Sequence, residues 1–299
     1  MSKRDKLPTI LIIGSNSLIG GSLMNFLQKS EEQVVGTTRR DKSQDKSRIY
    51  LDLSENVDEW RCLSSVSVAV ICAGVTKIDA CKREPFETSR VNVQGIFTLA
   101  KNFVRKGTFV IYLSTNQVFD GSVPYRLPDA QVSPITEYGR QKAKAEHLIS
   151  QLGDSVAIIR FTKVLGAANP LFSKWRNALK NGETIQPFSN MSLSPVPVSF
   201  AVLVLSLVVN RRLPGILQVS GNHDISYAEA AYLGAKLLGV ESNLVQPVEA
   251  FQSGCYIETI PPYTTLNIDR LKSTLGIEPP DVRWTIEMAF TKPEVLGGL

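Results

Sequence analysis

Tyr138 and Lys142 stand four residues apart in the stretch EYGRQKAKAE (Glu137–Glu146). The stretch has the pattern of an opening helix, in which side chains at this spacing lie on one face with their Cβ atoms about 5–6 Å apart. A tyrosine hydroxyl titrates at about pH 10 in water, so it exchanges protons poorly at neutral pH unless a nearby positive charge stabilises its phenolate. With Lys142 supplying that charge, Tyr138 becomes a general acid for carbonyl reduction or a general base for alcohol oxidation. The pair alone is also compatible with two neighbours on a helix surface.

Two hydroxyl side chains, Ser114 and Thr115, stand at the carboxyl end of the apolar run TFVIYLS (Thr108–Ser114). This run predicts a central strand, and ligands bind at the carboxyl ends of strands in open α/β sheets. A hydroxyl in that position can bind the carbonyl oxygen of a substrate beside Tyr138. The hydroxyls and the Tyr/Lys pair together predict a catalytic site more specifically than either does alone.

A glycine-rich turn, IIGSNSLIGGSL, follows the first apolar run and opens a helical pattern. Gly14 allows the tight turn at the strand end, while Gly20 and Gly21 let helix and strand pack closely. The free N–H groups and the positive dipole end of the helix favour a bound pyrophosphate. Ser17 occupies the middle position, where it can cap the helix but takes space beside a dinucleotide. A plain strand-to-helix turn is the alternative interpretation.

The end of the second predicted strand, GTTRR, carries no Asp or Glu, the residue that an NAD-specific site places there for the ribose hydroxyls. Arg39 and Arg40 instead offer planar, permanently charged groups suited to a 2′-phosphate. The sequence therefore predicts NADP(H) as the preferred cofactor, with NAD(H) as the second choice. Two solvated arginines in a loop are the alternative interpretation.

Apolar runs alternate with helical patterns in the first half of the chain, which indicates a parallel sheet covered on both faces and wound by right-handed crossovers. After Phe161, prolines break the chain into shorter pieces. The predicted fold is α/β, a Rossmann-type doubly wound parallel sheet with a smaller C-terminal α+β substrate lobe. We expect a dinucleotide-binding domain at 1–162 and a substrate-binding lobe at 163–299, with local returns to the first domain. A long helix is predicted in FETSRVNVQGIFTLAKNFVRK.

The composition is that of an ordinary globular protein, with 299 residues, 43% of them hydrophobic, and a net charge of +5. Its scattered basic residues indicate a solvated surface rather than a nucleic-acid patch, with an anionic small ligand as the intermediate case. Four cysteines without a CxxC pair predict reduced thiols in the cytoplasm, and two distant histidines predict no metal site. The longest apolar run, Phe200–Val209, is shorter than the about 20 residues that a bilayer requires, so we expect a soluble protein. We also expect a small-molecule substrate, no nucleic-acid or membrane partner, and a monomer or homodimer.

Several longer segments match one family pattern. LSTNQVFDG resembles STDYVFDG, PITEYGRQKAKAE resembles P-x-x-x-YGxSKxxGE, and VICAGVTKIDACKREP and VNVQG also have counterparts there. On these motifs the chain resembles the extended short-chain dehydrogenase/reductase superfamily, and within it the dTDP-4-dehydrorhamnose reductase family, over nearly its whole length. The resemblance implies hydride transfer from NADPH to the 4-keto group of a nucleotide-activated deoxysugar.

Carried over residue by residue, the resemblance implies a catalytic set of Thr115, Tyr138 and Lys142. Tyr138 would protonate the new alkoxide, and Lys142 would also bind the nicotinamide ribose. The predicted cofactor-binding residues are Gly14, Ser17, Leu18, Ile19, Gly20, Arg39, Arg40, Asp52, Leu53, Cys72, Ala73, Gly74, Tyr138 and Lys142. The predicted substrate contacts are Thr76, Asn116, Gln117, Lys163 and Trp175. The ring of Trp175 also fits a packing role.

The chain departs from the family pattern around the expected substrate. The departures are Asn116-Gln117 for Asp-Tyr, Lys163 for Trp, Met191 for Gln, and Ile260-Pro261 for Arg-Pro. The last one removes an expected anion-binding arginine, so the sequence predicts retained chemistry with an altered sugar pocket. Two alternatives stay open: an NAD(P)-dependent sugar-nucleotide epimerase or dehydratase on the same fold, and a non-catalytic NADP-binding regulatory subunit.

Overall fold

A computed structural model describes residues 9–40, 47–60, 65–166, 169–252 and 258–291. Its strands are β1 (Ile10–Ile13), β2 (Val34–Thr38), β3 (Arg48–Tyr50), β4 (Val68–Ile71), β5 (Phe109–Thr115), β6 (Val156–Phe161), β7 (Val164–Leu165), β8 (Ser192–Leu193), β9 (Val196–Pro197), β10 (Gly215–Val219) and β11 (Ile225–Ser226). Its α-helices are α1 (Leu18–Lys29), α2 (Ile78–Arg83), α3 (Pro85–Ser89), α4 (Ile96–Arg105), α5 (Glu137–Ser150), α6 (Pro170–Lys180), α7 (Val198–Arg211), α8 (Tyr227–Leu238), α9 (Asp269–Leu275) and α10 (Val282–Phe290).

A seven-stranded sheet has the order β10-β6-β5-β4-β1-β2-β3. β1 runs parallel to β2 and β4, with Ile10 opposite Val34 and Val68, and the pairs β2–β3 and β4–β5 are also parallel. Every residue of β1 and β4 is buried, as expected for the continuous apolar runs ILII and VAVI between two helical layers. This order confirms the predicted Rossmann-type fold. The chain adds β2 and β3 on one side of β1 and then crosses to add β4 on the other side. In doubly wound sheets, ligands bind where the strand order changes sides in this way.

The chain divides into two compact units. The first comprises Met1–Val118, Gln131–Arg160 and Val202–Leu217, and the second comprises Phe119–Ala130, Phe161–Ala201 and Gln218–Leu299. The break at Arg160/Phe161 lies two residues before the predicted domain boundary, and the segment Val202–Leu217 returns to the first unit. In the part of the chain that the structure describes, no helix is long and apolar enough to cross a membrane.

The prediction of a single long helix after β4 is wrong in one respect, because the helix is interrupted. α3 ends at Ser89, a π-helical segment follows at Arg90–Gly95, and α4 begins at Ile96. Such wide turns are rare and often occur at functional sites. Gly95 explains the close packing here, because a Cβ at this position would lie 2.2 Å from the carbonyl oxygen of Leu53. No proline marks the interruption in the sequence, so the sequence alone does not reveal it.

A buried ion pair joins α5 to β6. Arg160 donates from Nε to Glu146 Oε1 at 3.0 Å and from Nη2 to Glu146 Oε2 at 2.7 Å, which is the two-pronged geometry of strong charge-assisted pairs. Both side chains are almost fully buried, at 2% and 5% exposure. Since Glu146 lies one helical turn after Lys142, this pair fixes the helix that carries the predicted catalytic residues.

We predict that Glu146→Ala lowers the free energy of unfolding by about 3–5 kcal/mol, because it leaves the buried guanidinium without this carboxylate. The double variant Glu146→Leu/Arg160→Met should recover most of that loss, since neither charge of this pair remains. Denaturant unfolding measures both. Asp79→Ala, which breaks the exposed pair with Arg83, is the control and should cost less than about 1 kcal/mol. A Glu146→Ala protein as stable as the Asp79→Ala protein would contradict the prediction.

Candidate active site

The predicted site residues follow strands that end at one edge of the sheet. Gly14 comes directly after β1, Arg39 after β2 and Cys72 after β4, while Ser114 and Thr115 end β5. Because these strands run parallel, their carboxyl ends share one edge, the edge where open α/β sheets bind ligands. The sheet topology therefore brings together residues that are far apart in the sequence.

The turn after β1 is anchored to the end of β2. Gly14 adopts a φ of +86°, and its N–H donates to Thr37 Oγ1 at 3.1 Å. Ser15 donates to the Thr37 carbonyl from its N–H at 3.1 Å and from its hydroxyl at 3.0 Å. A Cβ on Gly14 would lie 2.8 Å from the backbone nitrogen of Ala73. Glycine is thus required here by both the backbone angle and the close approach of the β4 loop.

Ser17 turns its side chain back into the turn. Its hydroxyl donates to the Gly14 carbonyl at 2.8 Å and accepts from the Gly20 N–H at 3.1 Å, so it is the N-cap of α1. Leu18, half exposed, and Ile19 begin the helix, and N–H groups in a first helical turn have no partner within their own helix. These residues fit the pyrophosphate of a dinucleotide, since a helix N-terminus is an anion-binding site. The Ser17 side chain is therefore used as the cap that the sequence predicts.

The residues predicted to hold the adenosine part lie at the ends of β2 and β3. Arg39 and Arg40 are exposed, and the N–H of Arg40 donates to Thr38 Oγ1 at 3.1 Å. Asp52 Oδ1 accepts from the Ser54 N–H at 2.8 Å and from its hydroxyl at 2.7 Å. The Leu53 side chain packs in the hydrophobic core at 6% exposure. The contacts of Asp52 and Leu53 with adenine stay predictions.

The loop after β4 contains Cys72, Ala73 and Gly74. Cys72 is a free, half-buried thiol, and its N–H donates to the Ile13 carbonyl at 2.9 Å. Burial raises the pKa of the Cys72 thiol to about 12, an effect that the charge of Lys142 partly offsets. The thiol is therefore neutral and unreactive at neutral pH. Thr76, predicted to contact substrate, is exposed in the same loop.

Thr115 and Tyr138 meet through their side chains. Thr136 caps α5 by accepting from the Gly139 N–H at 3.0 Å, which places Tyr138 in the first helical turn at 8% exposure. Burial raises the pKa of the Tyr138 phenol above its usual value, and a hydrogen bond with the Thr115 side chain acts in the opposite direction. The phenol is therefore protonated at neutral pH, and burial by itself makes it a weaker acid than an ordinary tyrosine.

Lys142 is buried beneath Tyr138 on α5, at 6% exposure. Its Nζ donates to the Leu113 carbonyl at 2.5 Å and lies 4.1 Å from the centre of the Tyr112 ring, a cation–π distance. Burial lowers the pKa of Lys142 to about 7, although the nearby charge of Glu146 raises it. The predicted lowering of the Tyr138 pKa by this amine is not seen in this structure, because burial raises that pKa and Lys142 is not among the groups that shift it.

Two buried hydroxyls on β5 lack a hydrogen-bond partner among the described residues, Tyr112 Oη and Ser114 Oγ. They stand two residues apart and so share one face of the strand. Buried polar atoms without partners are rare and call for an explanation such as a bound group. Ser114 was singled out from the sequence as a strand-end hydroxyl. Tyr112 was not, because an aromatic residue within a strand looks like core.

The predicted substrate contacts fall into two sets. Asn116 and Gln117 adjoin Thr115: its hydroxyl donates to Asn116 Oδ1 at 3.3 Å and accepts from the Gln117 N–H at 3.2 Å. Lys163 and Trp175 belong to the second unit. Lys163 is exposed, whereas Trp175 is 7% exposed.

The Trp175 ring lies in an aromatic cluster of the second unit. It meets Phe172 edge-on at 5.5 Å and Tyr227 edge-on at 6.3 Å between ring centres. This position supports the packing interpretation of Trp175, and its contact with substrate stays a prediction. Arg176, the next residue of α6, donates from Nη1 to the Thr291 carbonyl at 3.2 Å.

A Rossmann-type sheet with a glycine turn after β1, and with hydroxyl, tyrosine and lysine side chains gathered at the end of β5, defines the extended short-chain dehydrogenase/reductase class. The model of one family, RmlD substrate binding domain, matches residues 8–294. The chain belongs to this family.

Individual relatives are more distant. The chain is 28% identical to dTDP-4-dehydrorhamnose reductase from Sinorhizobium fredii over 226 residues, 72% of this chain and 76% of that protein. It is 25% identical to methionine adenosyltransferase 2 subunit beta from Rattus norvegicus over 249 residues, 80% of this chain and 75% of that protein.

Solved structures share the fold. A crystal structure of dTDP-4-dehydrorhamnose reductase from Bacillus anthracis in complex with NADP has a TM-score of 0.80 and 22% identity, covering 95% of this chain and 98% of that one. MoeE5 in complex with UDP-glucuronic acid and NAD has a TM-score of 0.79 and 23% identity, covering 94% of this chain and 97% of that one.

We predict that the buried Lys142 amine makes stability depend on pH. Because its folded-state pKa of about 7 lies below the usual 10.5, the unfolded chain binds more protons at this residue between these values. Stability therefore rises with pH across that window. Lys142→Met removes the effect, so any stability advantage of the variant over the wild type should shrink as the pH rises from about 7 to about 10. Denaturant unfolding of both proteins measures it, and a difference independent of pH would refute it.

Proposed function

We propose that the protein is an NADPH-dependent reductase of a nucleotide-activated 4-keto-deoxysugar. The observation that carries the proposal is the placement of three side chains at the carboxyl end of β5. Thr115 ends the strand, Tyr138 is nearly buried and close enough for the Thr115 side chain to act on its pKa, and Lys142 is buried one helical turn further along α5. A general acid and a hydroxyl that can hold a carbonyl oxygen are what carbonyl reduction requires. The family membership supports the same reaction, since a relative in Sinorhizobium fredii is a dTDP-4-dehydrorhamnose reductase.

The Tyr138 phenol is protonated at neutral pH, which is the form that can give a proton to a new alkoxide, and a nearby positive charge would offset the weakening of this acid by burial. Thr115 would hold the substrate oxygen by a hydrogen bond while the phenol delivers its proton to it. Bound NADPH supplies the hydride. The phenolate left behind would be stabilised by the protonated form of Lys142, which a pKa of about 7 leaves partly populated at neutral pH, until solvent returns the proton.

Cofactor choice rests on the glycine turn and on the end of β2. The turn fits a dinucleotide, since its glycine leaves no room for a side chain and its helix N-terminus is capped by Ser17. The residues after β2 are Arg39 and Arg40 instead of an acid, which favours a 2′-phosphate. The Bacillus anthracis neighbour, crystallised with NADP, supports this choice. An epimerase or dehydratase is less favoured, because these enzymes normally retain NAD and carry that acid.

The first test is NADPH consumption by the purified protein with a panel of nucleotide 4-keto-6-deoxysugars. Tyr138→Phe should lower turnover by about 10²- to 10⁴-fold, since it removes the general acid, while NADPH affinity changes little. Tyr232→Phe, a change at an exposed tyrosine of α8, is the matched control and should keep full activity. Equal activity of Tyr138→Phe and the control would overturn the catalytic assignment.

The second test concerns the 2′-phosphate. Arg39→Ala should weaken NADPH binding by about tenfold or more, the range of a lost charge-assisted contact, and leave NADH binding nearly unchanged. Fluorescence titration with each cofactor gives both dissociation constants. Arg83→Ala, an exposed arginine of α2, is the control. Equal weakening of both cofactors would refute the assignment of Arg39 to the phosphate.

A non-catalytic regulatory subunit is the second candidate. The relative that favours it is methionine adenosyltransferase 2 subunit beta, and the altered positions Asn116, Gln117 and Ile260-Pro261 leave room for lost turnover. Tight NADPH binding without turnover of any ketosugar in the panel would support this candidate. The intact set of Thr115, Tyr138 and Lys142 argues against it, since a binding module needs no proton donor.

The remaining properties follow from the proposed reaction and from composition. The substrate would be a nucleotide sugar, a class present in the MoeE5 complex with UDP-glucuronic acid. A cytoplasmic location and a monomeric or homodimeric state stay predictions.

A further inference from the structure

Gln141 stands between Tyr138 and Lys142 on α5 and is 3% exposed. Its Nε2 lies 3.0 Å from Thr88 Oγ1, 3.0 Å from Glu137 Oε1 and 3.2 Å from the Pro85 carbonyl oxygen. The Thr88 hydroxyl donates to the Glu84 carbonyl at 2.8 Å, so it is free to accept from Gln141. The glutamine therefore ties α5 to α3 from inside the protein.

The other end of the Gln141 amide reaches the π-helical segment. Gln141 Oε1 accepts from Asn92 Nδ2 at 2.9 Å. Asn92, 1% exposed, also clamps the loop after β4, because its Nδ2 donates to the Val75 carbonyl at 2.9 Å and its Oδ1 accepts from the Val75 N–H at 2.8 Å. A Cβ on Gly74 would lie 3.2 Å from that Oδ1, so the loop fits closely around the asparagine.

The two amides fix each other's orientation. The Val75 N–H can only donate, so it must face Asn92 Oδ1, and Asn92 Nδ2 must then face Gln141 Oε1. This leaves Gln141 Nε2 directed at the oxygen atoms of α3 and Glu137, all of which can accept. A side chain with acceptors at both ends, or with no polar atoms, cannot complete the chain of bonds.

The position of Gln141 on α5 determines which side of the helix these bonds hold in place. Successive residues of an α-helix point about 100° apart, so Gln141 and Lys142 hold two different sides of α5. Lys142 and Glu146 hold one side to β5 and β6, and Gln141 holds the other to α3 and Asn92. The family motif YGxSK has a serine at this place, which is too short to make the same bridge.

We infer that Gln141 is a positioning residue that couples the loop after β4 to the helix bearing Tyr138 and Lys142. Through Asn92, it sets the rotation of α5 against the loop in which Cys72, Ala73 and Gly74 are predicted to contact the dinucleotide. Its expected effect on turnover rests on the proposed function. Its expected effect on NADPH binding does not.

The kinetic test uses Gln141→Met, which keeps the length and volume of the side chain and removes its hydrogen bonds. Turnover is expressed per NADPH-binding site, measured by titration, so that unfolded molecules do not count. We expect kcat to fall by about 10- to 100-fold with little change in KM, since small misplacements of catalytic groups have effects of this size. Lys144→Met, an exposed position on the same helix, is the control and should stay within about twofold of wild type. A Gln141→Met enzyme as active per site as this control would overturn the inference.

The second test needs no turnover. NADPH dissociation constants are measured for the wild type, Gln141→Met, Lys142→Met and the double variant. If Gln141 positions Lys142, the lysine change weakens binding by a larger factor in the wild type than in the Gln141→Met background, because coupled residues are not additive. Equal factors would overturn the inference. If the two factors differ in the expected direction but the wild-type protein reduces no ketosugar of the panel, the inference stands and the proposed function is rejected.

Discussion

The seating of α5 on the sheet is the constraint on which the candidate site depends, and the buried pair of Glu146 with Arg160 is its strongest electrostatic element. Charges removed from water are tolerated only in a close, well hydrogen-bonded geometry. That requirement leaves the helix little freedom to rotate or slide. Lys142 and Tyr138 lie one and two turns before Glu146, so a stabilising contact on β6 also sets the place of the chemistry.

Burial then determines which protons the site holds. The same removal from water raises the pKa of Tyr138 and of Cys72 and lowers the pKa of Lys142. The phenol and the thiol are therefore neutral at neutral pH, whereas Lys142, with a pKa of about 7, is partly protonated there. In such surroundings each hydrogen bond and each added charge has a larger effect than it would have in water.

The departures from the family pattern near the substrate fall in both units, whereas the catalytic set lies in the first. Pro261 packs on Gly121, where a Cβ would lie 2.4 Å from its ring, and Asp224 accepts from both Thr264 and Thr265 just after it. The segment that has lost the expected arginine is thus held firmly by other contacts.

The sequence by itself determined the parallel sheet, the glycine turn, the strand-end hydroxyls and the Tyr138/Lys142 pair, because apolar periodicity, glycine spacing and helical spacing are local properties of the chain. The tertiary structure alone decided the partners of these residues. The Leu113 carbonyl lies 29 positions from Lys142, and Asn92 lies 49 positions from Gln141. No local pattern encodes such contacts, since they exist only after β4, β5 and the π-helical segment have packed against α5. The direction of the pKa shifts has the same origin, because burial is a property of the folded chain.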